Sequence, residues 1–257
     1  MLTNNSPLPS FDIAGRVAII TGGSRGIGKA IAMGFASVGA HVVIASRKAE
    51  ACEATVSEIL AAGGSALAVP TNVSNIDQLE ALTTASVERF GAIDILVNNA
   101  ANPLALPLGS ITPEALSKSF DANLRGPVFL VQSALPHLKA SPHAAVINII
   151  TAGVYTHGTF VSMYVAAKHA LLAMTRSMAA ELAPDGIRVN ALAPGTVRTT
   201  MMTSMPEEFQ QFAVNEQLIK RMADPTEMVP GALFLASDAS SFMTGQTLVL
   251  DGGMTTH

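Results

Sequence analysis

A single cysteine, Cys52, is all the thiol that this chain of 257 residues carries. An internal disulfide is therefore impossible, which fits a reducing, cytoplasmic setting. Charge is equally scarce: Asp, Glu, Lys and Arg make up 13% of the residues, the net charge is −4, and the basic residues are scattered. Nucleic-acid binding needs basic side chains clustered on one face, so no nucleic-acid partner is expected. Long apolar runs are missing as well. None approaches the roughly 18–20 residues of a membrane-spanning helix, which argues against a membrane partner. The six histidines, at 41, 137, 143, 157, 169 and 257, show no HExxH or comparable ligand spacing, so no metal site is expected. The opening stretch MLTNNSPLPS lacks both the basic and the apolar parts of a signal peptide and reads as a frayed arm over residues 1–14.

Apolar residues, by contrast, are plentiful at 49%. With so little charge to solvate the helix faces, partner subunits are expected to cover some of them, giving a homo-oligomer, dimer or tetramer. Seven short runs stand out: Val17-Ala18-Ile19-Ile20, Val42-Val43-Ile44, Ala66-Leu67-Ala68-Val69, Ile93-Asp94-Ile95-Leu96-Val97, Val146-Ile147-Asn148-Ile149-Ile150, Ile187-Arg188-Val189-Asn190-Ala191-Leu192 and Thr247-Leu248-Val249-Leu250. Continuous rather than alternating apolar character suits strands buried on both faces, as in a parallel sheet. Segments of helical period lie between them, near 26–38, 49–62, 75–90, 112–139, 163–183 and 225–237. Asn75 and Thr112-Pro113-Glu114 read as helix starts, and Gly39, Gly63 and Gly91 as stops. Neither a low-complexity linker nor an internal repeat interrupts the alternation. The expected fold is therefore a single α/β domain over 15–257, a doubly wound parallel sheet of about seven strands with helices on both faces. Ligands in such sheets sit at the carboxyl ends of the strands, where the strand order reverses.

The first run leads straight into Thr21-Gly22-Gly23-Ser24-Arg25-Gly26-Ile27-Gly28 and then a helical pattern. A turn free of Cβ atoms lets backbone N–H groups and a helix N-terminus face a pyrophosphate. A glycine pattern alone is weak evidence, but its place between strand and helix strengthens it; a ligand-free glycine turn is the competing reading. No Lys-Ser/Thr pair closes the loop, which argues against a P-loop nucleotidase. Further on, Tyr164 and Lys168 are four residues apart at the start of a helix, hence on one face and about 6 Å apart along the axis. A phenol ordinarily titrates near 10. A neighbouring ammonium would lower that value and make Tyr164 a usable proton donor or acceptor nearer neutrality. In an arbitrary protein such a pair is more often a packed Tyr and a snorkelling Lys.

The glycine turn has the spacing TGxxxGxG, and with Asn98-Asn99-Ala100 it resembles the short-chain dehydrogenase/reductase family. The resemblance runs from about Gly15 to Gly253, takes in the YxxxK pair and a PG loop at Pro194-Gly195-Thr196-Val197-Arg198-Thr199, and implies a Rossmann-like fold. Ala101 stands where the family's NNAG element has Gly. The resemblance implies that this chain interconverts a carbonyl and a secondary alcohol by hydride transfer, with Asn123, Thr151, Tyr164 and Lys168 as catalytic residues. Thr151 is a departure: thirteen residues before Tyr164 the family has Ser, and Thr keeps the hydroxyl while adding a methyl that narrows the pocket. Asn123 corresponds to an Asn that holds a water between Lys and solvent, and the nearby Gly126-Pro127 predicts a distorted helix there.

The implied cofactor contacts are Gly22, Ser24, Arg25, Gly26, Ile27 and Gly28 for the pyrophosphate side and Asn72, Val73, Asn99 and Ala100 for the adenine side. Tyr164 and Lys168 would meet the ribose, and Pro194, Gly195, Val197 and Thr199 the carboxamide. At the end of the second strand, Ala45-Ser46-Arg47-Lys48 offers no carboxylate for the ribose hydroxyls of NAD. Arg47, Arg25 and Ser46 instead suit a 2′-phosphate, so NADP is the expected cofactor, with NAD the alternative. Residues 196–222 fall where the family places a mobile substrate lid, and their methionines hint at an apolar or acyl substrate. Some local motifs also resemble the dienoyl-CoA reductase branch, but Tyr164 and Lys168 favour a ketone or 3-oxoacyl reductase. Two other readings stand beside it. One is a cofactor-binding regulatory or scaffold protein with a degraded site, for which Thr151 and Ala101 speak. The other is an NAD-dependent sugar or steroid alcohol dehydrogenase.

Overall fold

The apolar runs become strands whose neighbouring residues point to opposite faces of one sheet. In the computed structural model, which describes residues 9–157 and 160–256, these are β1 (Val17–Thr21), β2 (His41–Ser46), β3 (Ser65–Pro70), β4 (Ile95–Asn98), β5 (Ala145–Ile149), β6 (Arg188–Pro194) and β7 (Thr247–Leu250). All pairings are parallel, in the order β3-β2-β1-β4-β5-β6-β7. The order reverses between β1 and β4, so a crevice opens at their carboxyl ends, beside Thr21 and Asn98.

Six helices cover the two faces. On one side Ile20, Ile44, Val97 and Ile147 pack against α1 (Gly26–Ser37), α2 (Ala49–Ala61) and α9 (Val229–Ala236). On the other, their neighbours Ile19, Val43, Leu96 and Val146 pack against α3 (Ile76–Phe90), α5 (Gly126–Ala140) and α6 (Ser162–Leu182). Both layers of the doubly wound sandwich are therefore filled by alternate residues of the same strands. The expected caps are present: Asn75 accepts from the Gln78 N–H at 3.2 Å and Thr112 from the Ala115 N–H at 3.2 Å. Among the described residues, no helix is long and apolar enough to cross a membrane.

Three expectations need correction. The helix read over 112–139 is three pieces: α4 (Pro113–Phe120), one π-helical turn over Asp121–Arg125, and α5. Pro127 has no N–H to continue an α ladder, and Gly126 is pressed so close to the next segment that a Cβ would lie 2.5 Å from the Val73 carbonyl oxygen. The Gly126 N–H instead closes a wide turn onto the Asp121 carbonyl. The segment 225–237 divides likewise, into a 3₁₀ turn over Pro225–Met228 and then α9. The frayed arm is docked along the part that is described. Ile13 is fully buried, the Ala239 N–H donates to the Ser10 carbonyl at 2.9 Å, and the Phe11 and Phe234 rings lie 6.1 Å apart. Burial of Ile13 against the sheet's core is what holds it. Two helices in the 196–222 region, α7 (Thr200–Thr203) and α8 (Glu207–Asn215), had not been read as helices.

Candidate active site

The crevice is built from the ends of β1, β4, β5 and β6. Thr21, the last residue of β1, donates its hydroxyl to the Val97 carbonyl at 3.2 Å and accepts the Asn99 and Ala100 N–H groups at 3.0 and 3.1 Å. The Asn99 amide returns the tie, donating to the carbonyls of Thr21 at 2.8 Å and Gly22 at 3.3 Å. Asn99 therefore fixes the glycine turn from behind. The turn needs its glycines: Gly22 and Gly26 have φ of +67° and +54°. A Cβ on Gly28 would lie 2.3 Å from Asn99 Nδ2 and 2.4 Å from the Gly22 carbonyl oxygen.

Arg25 opens α1 without capping it by a side chain, so the first N–H groups of the helix, from Gly26, Ile27 and Gly28, face the crevice side of the turn uncapped. Across from them stands Thr199, whose Cγ2 would be 3.2 Å from a Cβ on Gly26. The Cβ-free floor, the open helix N-terminus and the facing loop fit the pyrophosphate of a dinucleotide. Beyond the turn, Ser46 ends β2, and Arg25, Arg47 and Lys48 are exposed. Among the described residues, none of those three cations is in an ion pair. Asn72 is exposed after β3, its N–H donating to Gln78 Oε1 at 2.7 Å, and Val73 is half-buried against Gly126. Pro194 and Gly195 leave β6, with a Cβ on Gly195 placed 2.6 Å from Asp251 Cα, and Val197 is buried.

The second half of the site lies at the end of β5. Lys168 is 1% exposed and donates from Nζ to the Ile149 carbonyl at 2.8 Å. The same nitrogen is 5.8 Å from the centroid of the Tyr164 ring. Thr151 opens a 3₁₀ turn over Ala152–Tyr155 and accepts the Gly153 N–H on Oγ1 at 3.2 Å, which leaves its hydroxyl proton for another acceptor. The turn packs on α6, where a Cβ on Gly153 would be 3.6 Å from Val165 Cγ2.

The protonation states differ from expectation. In the chain by itself, burial pushes the Tyr164 phenol up to about 12, not down. Burial likewise drives the Lys168 amine down to about 7, because each charge would lose its water. Asn123 differs too. It is wholly buried in the π turn; Nδ2 donates to the carbonyls of Asn102 at 2.8 Å and Ser119 at 2.9 Å, and Oδ1 accepts the Asn102 N–H at 3.3 Å. Its amide pins the loop after β4, and a water held here would have to bind elsewhere on this turn.

Sequence reasoning passed over a buried ladder beneath these residues. Asn98 Nδ2 donates to Asn148 Oδ1 at 2.8 Å, Asn148 Nδ2 to Thr175 Oγ1 at 2.8 Å, and Thr175 to the Leu171 carbonyl at 2.8 Å. A polar residue inside each of two apolar strands was the available signal. Among the described residues no group of three or more His, Cys, Asp or Glu is placed to hold a metal ion.

The family model described as enoyl-(acyl carrier protein) reductase matches residues 22–255. The short chain dehydrogenase/reductase astE of Aspergillus oryzae is 36% identical over 251 residues, covering 95% of this chain and 96% of its own. The 3-oxoacyl-[acyl-carrier-protein] reductase FabG of Staphylococcus aureus is 34% identical, over 92% of this chain and 97% of its own. Among solved structures, a Beutenbergia cavernae protein provisionally named an NAD(P)-dependent gluconate 5-dehydrogenase superposes with a TM-score of 0.88 at 33% identity. It covers 95% of this chain and 98% of its own, and it carries NADP at low occupancy. The chain belongs to the short-chain dehydrogenase/reductase family. It is an oxidoreductase of the type that acts on CH–OH groups with NAD(P).

The buried Lys168 leaves a mark on stability. Between about 7, where folded Lys168 titrates, and the ordinary lysine value of 10.5, the unfolded chain binds a proton that the folded chain does not. Stability contributed by this group is therefore greatest above 10.5 and falls as pH drops towards 7. Lys168→Met is expected to flatten the rise of unfolding free energy between pH 7 and about 9.5, read by urea titration without dinucleotide. A variant curve parallel to wild type across that range would contradict the assigned shift.

Proposed function

We propose that this chain is an NADPH-dependent reductase of a ketone or 3-oxoacyl substrate, with Tyr164 as the proton donor. The observation that carries the reading is the pair Tyr164 and Lys168, one helical turn apart at the carboxyl end of β5, with Lys168 Nζ anchored on the Ile149 carbonyl. A nicotinamide dinucleotide, when bound, supplies or takes up the hydride. Everything else falls to the chain. Thr151 donates its free hydroxyl proton to the substrate oxygen and holds it for protonation. Tyr164, whose phenol carries its proton at physiological pH, donates from Oη to that oxygen. Lys168, titrating near neutrality, replaces the proton and holds the ribose. Asn123 supports the path by fixing Asn102 and the loop beneath it.

The remaining residues divide the dinucleotide among them. Gly22, Ser24, Gly26, Ile27 and Gly28 cradle the pyrophosphate. Asn72, Val73, Asn99 and Ala100 line the adenine side. Pro194, Gly195, Val197 and Thr199 orient the carboxamide. Arg25, Ser46 and Arg47 take the 2′-phosphate, a role supported by the two exposed guanidinium groups, which no carboxylate neutralises among the described residues. Residues 196–222 cover the substrate as a lid, and exposed Met201 and Phe212 suit an apolar or acyl chain. The likeness to a 3-oxoacyl reductase and to an NADP-bearing structure supports the same choice. A homo-oligomer is part of this reading. Strand β7 is an open sheet edge, Phe242 at its entry is fully exposed, and Leu218 and Ile219 stand exposed beside the C-terminal turn.

Replacing Tyr164 by Phe is expected to lower kcat at least about a hundredfold in a ketone and 3-oxoacyl panel, while NADPH still binds. Turnover within about threefold of wild type would remove Tyr164 from the chemistry. NADPH should give a higher kcat/KM than NADH, and Arg47→Ala should cost about tenfold with NADPH but little with NADH. A higher kcat/KM with NADH would overturn the cofactor choice. Light scattering should report a dimer or tetramer; a monomer at working concentration would refute the assembly.

A further inference from the structure

Residues 200–222 form an excursion with little buried surface, held to the rest of the molecule mainly by polar bonds. Within it only Val214 and Gln217 are buried, at 8% and 3% exposure. Its two ends are pinned together at its base: the Ala223 N–H donates to the Thr196 carbonyl at 2.9 Å, and the Arg198 N–H to the Ala223 carbonyl at 2.9 Å. On the return leg the Ile219 N–H donates to the Gly252 carbonyl at 2.9 Å and Arg221 pairs with Glu227 at 2.6 Å, both on the exposed side; the remaining tie is a buried side chain. Gln217 Oε1 accepts the Thr196 N–H at 2.8 Å, while Nε2 donates to the carbonyls of Ile219 at 3.1 Å and Arg221 at 2.8 Å. One buried amide thus spends its acceptor on the loop after β6 and both its donors on the return leg of the excursion.

Apolar packing does not substitute for this tie. The return leg borders an open cleft of about 330 Å³ lined by Gln217, Ile219, Met228 and Asp251 among others, and its apolar residues Leu218 and Ile219 stay exposed where they meet Gly252 and Gly253. Thr196 adds a weaker bond, Oγ1 to the Ala213 carbonyl at 3.3 Å. Whatever seats or displaces the excursion is therefore transmitted to the Thr196 N–H, in the middle of the loop assigned above to the carboxamide.

We infer that Gln217 is a positioning residue that couples the seating of the 200–222 excursion to the nicotinamide end of the dinucleotide site, leaving the adenosine end unaffected. The inference rests on the dinucleotide reading proposed above. The adenosine end is built on the glycine turn and the end of β2, which Gln217 does not touch. Leu at 217 would keep the bulk and lose all three bonds. Glu keeps the acceptor but, when ionised, sets a carboxylate against two carbonyls; when protonated it regains one donor.

Calorimetry on the full chain with NADPH and with 2′,5′-ADP, which lacks the nicotinamide half, separates the outcomes. Gln217→Leu is expected to weaken NADPH about tenfold and to leave 2′,5′-ADP within about twofold. Gln217→Glu should weaken NADPH similarly at pH 8 and recover towards wild type as the pH is lowered to about 5, the range where a carboxyl begins to take up its proton. NADPH affinity unchanged in Gln217→Leu, or both ligands weakened alike, would overturn the coupling. If Gln217→Leu does not fold, Gln217→Glu decides alone, and a ratio to wild type independent of pH overturns it. Wild type that binds 2′,5′-ADP but not NADPH would sink the functional reading and this inference together, whereas tight wild-type binding with no selective loss sinks only this one.

Discussion

An amine buried on a strand-end carbonyl organises this molecule. Taking an ammonium out of water costs several kcal/mol, and Lys168 meets that cost by giving up its charge near neutrality while keeping a bond to Ile149. The carbonyl is free to accept because β5 ends there; the following N–H, from Ile150, is already donated to Leu192. Seven residues further along α6, Thr175 binds Asn148, so the helix is tied to β5 at two points about two turns apart on one face. A helix held at two points on one face cannot roll, and Tyr164 lies one turn before the first tie. Its position thus follows from bonds it does not itself make.

The opposite end of the sheet does different work. Arg16 donates to the Ala236 carbonyl and pairs with Asp238, and Arg188 binds the carbonyls of Leu235 and Ser237. Two guanidinium groups thereby complement the negative end of α9. Asp94, buried beside them at the start of β4, accepts the Val17 N–H and the Ser141 hydroxyl. These charged side chains are spent where strands begin. At the ends of β1, β4 and β5 the bonds are made by backbone carbonyls, amides, hydroxyls and the Lys168 amine, while after β7 the buried Asp251 carboxylate accepts the Gly253 and Thr255 N–H groups.

How much of this the amino-acid sequence discloses depends on whether local pattern or tertiary contact decides the feature. The strands are legible because burial on both faces makes β1 and β5 continuous apolar runs. Caps at Asn75 and Thr112 are legible because they act within four residues. That the long helix distorts beside Gly126-Pro127 is legible too, but its form as a π turn is not: that requires the Val73 carbonyl pressing on Gly126 from another segment. Helices α7 and α8 are hidden because they are short, four and nine residues, too brief for a helical period to stand out from the surrounding loop. Tyr164 and Lys168 are legible as a spacing, but their protonation is not, since burial depends on what packs around them. Gln217 left no trace at all, because an amide bonding three backbone groups needs no particular neighbours in sequence.

The chain's poverty in charge then acquires a functional sense. Exposed cations that form no ion pair among the described residues gather at one end of the crevice, Arg25, Arg47 and Lys48, while the end around Thr151 and Tyr164 presents neutral hydroxyls beside an amine whose charge burial weakens. A ligand with phosphates at one end and an uncharged reacting ring at the other would take its affinity from the first and meet little electrostatic bias at the second. Binding energy realised far from the reacting atoms can hold them in place without stabilising the ground state of the bond to be changed. Neutral donors beside that bond interact most strongly only as charge builds on the substrate oxygen, which is the moment at which their bonds lower a barrier.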